Sequence, residues 1–236
     1  MIRRGEIIPG TEQPLSDGVT APVACVAIID GERLRVVAKR IPQPAIEAEY
    51  LCAVLLREWG VAVPEPALLT DQQGATLFGS IHTNYPNLKQ RLFDEVPPEL
   101  QNRLHEIAAN IVCSWDDAPT ALAADELIAN GDRNPGNLLW DGGDDHAYID
   151  HERCLGLVPS EKNILAILAL ASEKRSHMEL RSETFAFQSQ SDGLPPLPAV
   201  EGELNLQWAL DFLGQRMPNF GEMVRSRFQH TGDFFD

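Results

Sequence analysis

Residues 127–151 read Leu-Ile-Ala-Asn-Gly-Asp-Arg-Asn-Pro-Gly-Asn-Leu-Leu-Trp-Asp-Gly-Gly-Asp-Asp-His-Ala-Tyr-Ile-Asp-His. Asp132 stands five residues before Asn137, and Pro135-Gly136 forces a turn between them. Leu138-Leu139-Trp140 then leaves as a strand, turns through Asp141-Gly142-Gly143-Asp144, and returns to Asp150. A hairpin closed at that turn has Asn137 and Asp150 at its open end, where two oxygen-bearing side chains can converge on one hard cation. Asp132 then faces the same space from the loop. That is the layout phosphoryl transfer requires: a carboxylate to orient a hydroxyl, and oxygen ligands for magnesium.

The spacing alone is weak, because Asp125 and Asn130 repeat it. That pair falls inside a predicted helix and is read as incidental. A calcium loop starting at Asp132-x-Asn134 fails, since its sixth position is Asn137 and its twelfth is Gly143.

Working toward the N-terminus, residues 1–21 hold turn formers and lead into a first strand, 22–29. Asp30-Gly31 is a hairpin turn and 32–40 the return strand, with Arg35, Val37 and Lys39 on one face and Leu34, Val36 and Ala38 on the other. A helix follows over 44–59, opened by Pro44 and stopped by Gly60. A second hairpin spans 67–81, and 79–87 is the expected hinge. Beyond it the pattern is helical: 99–115, 120–130, then 160–176 capped by Ser160, a loop over 186–200, and final helices near 202–214 and 218–228. A strand-rich first third and a helical remainder predict an α+β chain of two lobes, 1–82 and 83–236.

Lys39 ends Val36-Val37-Ala38-Lys39, similar to the Val-Ala-Ile-Lys strand of protein kinases. Its chemistry would be a fixed ammonium on the α- and β-phosphates, held by a carboxylate of the next helix. Glu47 and Glu49 both qualify; Glu49, fifteen residues before Pro64, is favoured. Ahead of Lys39 there is no Gly-x-Gly-x-x-Gly, but Gly18 could let backbone N–H groups approach phosphate and Thr20 could donate its hydroxyl. Arg133, beside Asp132, orients the loop or a phosphate. His151 either reaches the metal site or is a structural imidazole bonded to backbone.

The run Gly131-Asp132-Arg133-Asn134-Pro135-Gly136-Asn137-Leu138-Leu139, with Ile149-Asp150-His151, resembles the core of HipA-like kinases and of phosphoinositide lipid kinases. Gly18-x-Thr20-x-Pro22, Val37-x-Lys39 and Gly60-Val61-x-Val63-Pro64-Glu65 extend the resemblance, in order, over residues 16–156. It implies a two-lobed kinase-like fold binding Mg-ATP, with Lys39, Gly18, Thr20 and Glu49 at the nucleotide, Asp132 and Arg133 at the reaction, and Asn137 and Asp150 on magnesium. The implied acceptor is a Ser or Thr of a protein. Aminoglycoside phosphotransferases share Gly-Asp-x-x-Pro-Gly-Asn and a later Ile-Asp but usually carry His where Asn130 stands, so a small-molecule acceptor is the alternative. A nucleotide-binding regulatory module that transfers nothing is another.

Composition agrees with this. The formal net charge of −16 disfavours nucleic acid as a partner. The four cysteines form no Cys-x-x-Cys pair, so neither a zinc knuckle nor a redox dithiol is indicated. The N-terminal residues lack the apolar core of a signal peptide, and the longest apolar run, 164–171, is too short to span a bilayer. The expectation is a cytoplasmic protein with reduced thiols.

Overall fold

The structure, a computed structural model, describes residues 2–15, 20–94 and 96–229. Gly18, assigned above to phosphate contact, lies outside the described residues.

The strand-rich part begins earlier than the turn formers suggested. Strand β1 (Arg3–Ile7) and a short β2 (Gln13–Pro14) precede the expected β3 (Val23–Ile29) and β4 (Glu32–Lys39). Helix α1 (Gln43–Glu58) follows, then β5 (Pro66–Thr70) and β6 (Thr76–Ile81). Across the sheet the order is β1-β5-β6-β4-β3-β2. Strand β1 also pairs with β3, antiparallel, and with β5, parallel, so five strands close into a barrel and β2 hangs on β3.

The barrel interior is filled by interleaved small and branched aliphatic side chains. Its buried filling is Ile7, Cys25, Ala27, Ile29, Val36, Ala38, Ala67, Leu69 and Leu77. Gly79 belongs to the same constraint, because a Cβ there would lie 2.5 Å from the Leu69 side chain. The alternation along β4 holds: Val36 and Ala38 are buried in the barrel, while Val37 and Lys39 line the outer cleft.

Helix α1 is buried along most of its length, from Ile46 through Leu56, because it packs between the barrel and the helical part. The segment after β6 carries α2 (Leu88–Leu92), opened by an Asn87–Gln90 capping box. Helices α3 (Gln101–Val112) and α4 (Ala118–Leu127) come next, then the hairpin β7 (Leu138–Trp140) and β8 (His146–Tyr148). Helix α5 (Ile164–Ala171) starts later than predicted: Asn163, not Ser160, accepts the Ala166 N–H as its cap. Helix α6 (Arg175–Asp192) occupies half of the expected 186–200 loop. A small hairpin, β9 (Val200–Glu201) and β10 (Leu204–Asn205), precedes α7 (Gln207–Arg216) and α8 (Phe220–Gln229).

The chain is thus α+β, strand-rich first and helical after. The four cysteines are free and buried. No helix among the described residues is long and apolar enough to cross a membrane.

Candidate active site at the mouth of the barrel

The β7–β8 hairpin forms as its sequence predicts, in the register Leu138↔Tyr148, Leu139↔Ala147 and Trp140↔His146. One step further the Ile149 N–H donates to the Asn137 carbonyl at 3.1 Å, which fixes Asn137 and Asp150 at the open end. Asp150 leaves the strand with a φ of 70°, a left-handed conformation that Asp tolerates better than most side chains.

From the opposite side, β4 delivers Lys39 and α1 delivers Glu49. The Lys39 ammonium donates to Glu49, to Asp150 at 2.5 Å and to Glu152 at 3.4 Å. The other Glu49 oxygen accepts the His151 N–H at 2.9 Å. Helix phase decides between the two glutamates. Glu47 turns away to accept from Trp208 Nε1 at 2.7 Å and Asn205 N at 3.1 Å, tying α1 to the start of α7.

Three carboxylates therefore share one ammonium, with ligand oxygens of Glu49, Asp150 and Glu152 within 4.8 Å of one another. Burial pulls the Lys39 ammonium down, but Glu49, Asp150 and Glu152 outweigh it and hold it raised. Burial pushes the Glu49 carboxyl up, yet Lys39 and His151 bring it down to about 2. Glu152 is raised, first by burial and then by repulsion from Asp150 and Glu49. Glu152 was not anticipated, since only the turn after Asp150 folds it back toward Lys39.

Behind the loop lies a second polar group. Arg133 is 1% exposed; its guanidinium donates to both Asp125 oxygens at 3.0 and 2.8 Å and to the Ile149 carbonyl at 2.7 Å, and contacts His151 Nε2 at 3.0 Å. It faces away from the cleft, onto α4. His151 is buried, the partners of its imidazole are side chains rather than backbone carbonyls, and burial lowers its pKa. The pair Asp125 and Asn130, read as incidental and wholly helical, needs correcting. Helix α4 ends at Leu127, and Asn130 bridges out of it, donating to Asp125 at 2.9 Å and accepting the Asp132 N–H at 3.1 Å.

These groups surround a cleft of about 420 Å³, a size suited to a small-molecule ligand. Thr20, Lys39, Glu49, Asp132, Asn137 and Asp150 all line it, with Val37, Phe78 and Ile81 among its apolar walls. The Asn137 amide nitrogen donates to the Asp132 carbonyl at 2.6 Å, and its amide oxygen makes no hydrogen bond among the described residues. Asn137 and Asp150 thus offer a neutral and an anionic oxygen in one cleft, beside a Lys39 ammonium that three carboxylates already share. The donor set fits a magnesium ion that keeps water and takes its remaining ligands from phosphate.

The same fold occurs in a Helicobacter pylori proinflammatory kinase, CtkA, with a TM-score of 0.54 over 94% of this chain and 95% of that chain at 15% identity. At that identity the likeness shows a kinase-like fold and nothing finer. No protein-family model and no curated protein matches the chain.

Proposed function

We propose that this protein is a Mg-ATP-dependent kinase that transfers the γ-phosphate to a hydroxyl, most simply a Ser or Thr of a protein. The observation that carries the reading is one convergence. Lys39, held by the buried Glu49, meets Asp150 across 111 residues of sequence, in a cleft that Asp132 and Asn137 also line.

In this reading residues 1–82 form the nucleotide-binding lobe and 83–236 the lobe carrying the catalytic loop. Lys39 contacts the α- and β-phosphates, and Glu49 keeps its ammonium in place. Thr20, in the turn before β3, covers the phosphates. Asn137 and Asp150 would hold magnesium, which would supply positive charge to the phosphate oxygens. The acceptor hydroxyl oxygen bonds to the γ-phosphorus as the bond to the β–γ bridging oxygen breaks. ADP leaves, and the hydroxyl proton passes to the Asp132 carboxylate. Arg133 acts through Asp125 and the Ile149 carbonyl, setting the loop without touching the reactants.

The test is transfer of γ-phosphate from labelled ATP to the protein itself or to a cell lysate, compared with Asp132→Ala. Labelling that falls at least a hundredfold in the variant supports the reading. Equal labelling by the variant contradicts it. ATP-induced thermal stabilisation without transfer by either protein points to a regulatory module. Labelling of an aminoglycoside or another hydroxylated metabolite, but of no protein, moves the acceptor to the small-molecule class.

A further inference from the structure

A second cavity of about 160 Å³ adjoins the cleft, lined by Gly131, Asp132, Arg153, Val158, Pro159 and Ser160. Asp132 is the residue common to both linings, so its carboxylate stands in the wall between a nucleotide-sized cleft and a smaller chamber. A hydroxyl entering this chamber reaches Asp132 without crossing the space a nucleotide fills.

The chamber is built by close packing. A Cβ on residue 131 would lie 1.7 Å from Ser160 Oγ, so the segment after β8 can close over the loop only because residue 131 is glycine. Ser160 Oγ accepts the Lys162 N–H at 3.2 Å, and Asn163 caps α5 immediately beyond, which ties this wall to a helix. Val158, 36% exposed, and Pro159 give the chamber an apolar edge.

Arg153 is the cation of this chamber. Its Nη1 lies 3.6 Å from the Asp132 carboxylate, an ion pair too long for a hydrogen bond, and its side chain is 54% exposed. A chain with a net charge of −16 repels acidic partners over most of its surface, so affinity for one must be local. A half-exposed guanidinium whose planar fork matches a carboxylate supplies that attraction beside the acceptor position.

We infer that, within the kinase reading on which this rests, the chamber receives the acceptor and Arg153 selects a Ser or Thr flanked by an acidic residue. The 236-residue chain is incubated with ATP, magnesium and phosphatase-treated lysate, and acquired phosphosites are mapped by mass spectrometry against an Asp132→Ala blank. Wild-type sites are expected to carry Asp or Glu next to the acceptor. Peptides copied from them should be labelled about threefold to fivefold faster than versions with Ala at the acidic position, the scale of one exposed ion pair. Arg153→Glu should reverse the preference toward Lys and Arg while ATP-induced stabilisation stays the same. Sites without acidic neighbours overturn the inference and leave the kinase reading intact. So does a uniform fall across all sites in Arg153→Glu, the signature of a guanidinium acting on the transferred phosphate. Absence of any acquired site with the wild type removes the protein-kinase reading, and the inference with it.

Discussion

The two sides of the 130–151 segment are built on opposite principles. Toward the cleft, Glu49, Asp150 and Glu152 share one ammonium, and the Asp150 side chain is 28% exposed. Toward α4, Arg133 and Asp125 neutralise each other at full burial, and Asn130 and His151 complete the group. No buried side-chain nitrogen or oxygen among the described residues lacks a partner. The front carries surplus negative charge facing a space that a ligand can fill. The back is closed. The loop that lines the cleft is held from behind by a fully buried ion pair.

This contrast can be broken first at the back. Arg133→Ala leaves Asp125 buried without its cation and should lower unfolding free energy by about 3–5 kcal/mol in urea titrations. The joint replacement Arg133→Met with Asp125→Leu should lose less than the single change, since it buries no unpaired charge. A loss below about 1 kcal/mol for Arg133→Ala would show that the back does not anchor the loop.

At the front the response is to pH. Glu49 is held at about 2 against an ordinary value of 4.5, so on acidification the unfolded chain takes up this proton first. Its contribution, up to roughly 3 kcal/mol, is complete above about pH 5 and fades as pH falls toward about 2. Glu152 has the opposite sign: its raised pKa favours the fold at low pH, and that contribution is lost as pH rises through the folded value. Glu49→Gln should remove most of the acid slope in denaturation curves recorded from pH 6 down to pH 2; an unchanged slope would place the acid lability elsewhere.

Lys39→Met should abolish the stabilisation by ATP, about 2.7 kcal/mol at a hundredfold excess over Kd, read as a lost shift in Tm. Retention of the shift would contradict the placing of phosphates on Lys39. Smallest is Gly131→Ala, which drives a methyl into Ser160 and should destabilise by about 1–3 kcal/mol, with partial recovery on adding Ser160→Gly. No effect of Gly131→Ala would mean that the wall of the second chamber is not seated on this glycine.

What the sequence made legible follows the same division. The β7–β8 turn, the face of β4 that carries Lys39, and the spacing of Asp132, Asn137 and Asp150 are local patterns, and residue spacing reports them. Barrel closure is not local: β1 finds its partners at Ile29 and Ala67, through backbone pairing that no side-chain period records. Asp125 and Asn130 carried a visible spacing, but their value depends on Arg133 returning to α4, which only the folded loop shows. Helix α6 was missed because its buried stripe, Met178, Ser182, Ala186 and Ser189, is mostly small and partly polar. Such residues admit close helix approach against α4 and α8 without the apolar period by which a helix is recognised.

In the proposed kinase, the hairpin brings Asn137 and Asp150 onto one cation beside a nucleotide. Isothermal titration calorimetry of ATP, with and without magnesium, on the wild type and on Asp150→Asn, tests it most directly. ATP should bind at least tenfold tighter with magnesium, about 1.4 kcal/mol, and Asp150→Asn should lose that dependence. Equal affinity with and without magnesium in the wild type, or the same dependence in Asp150→Asn, would contradict it.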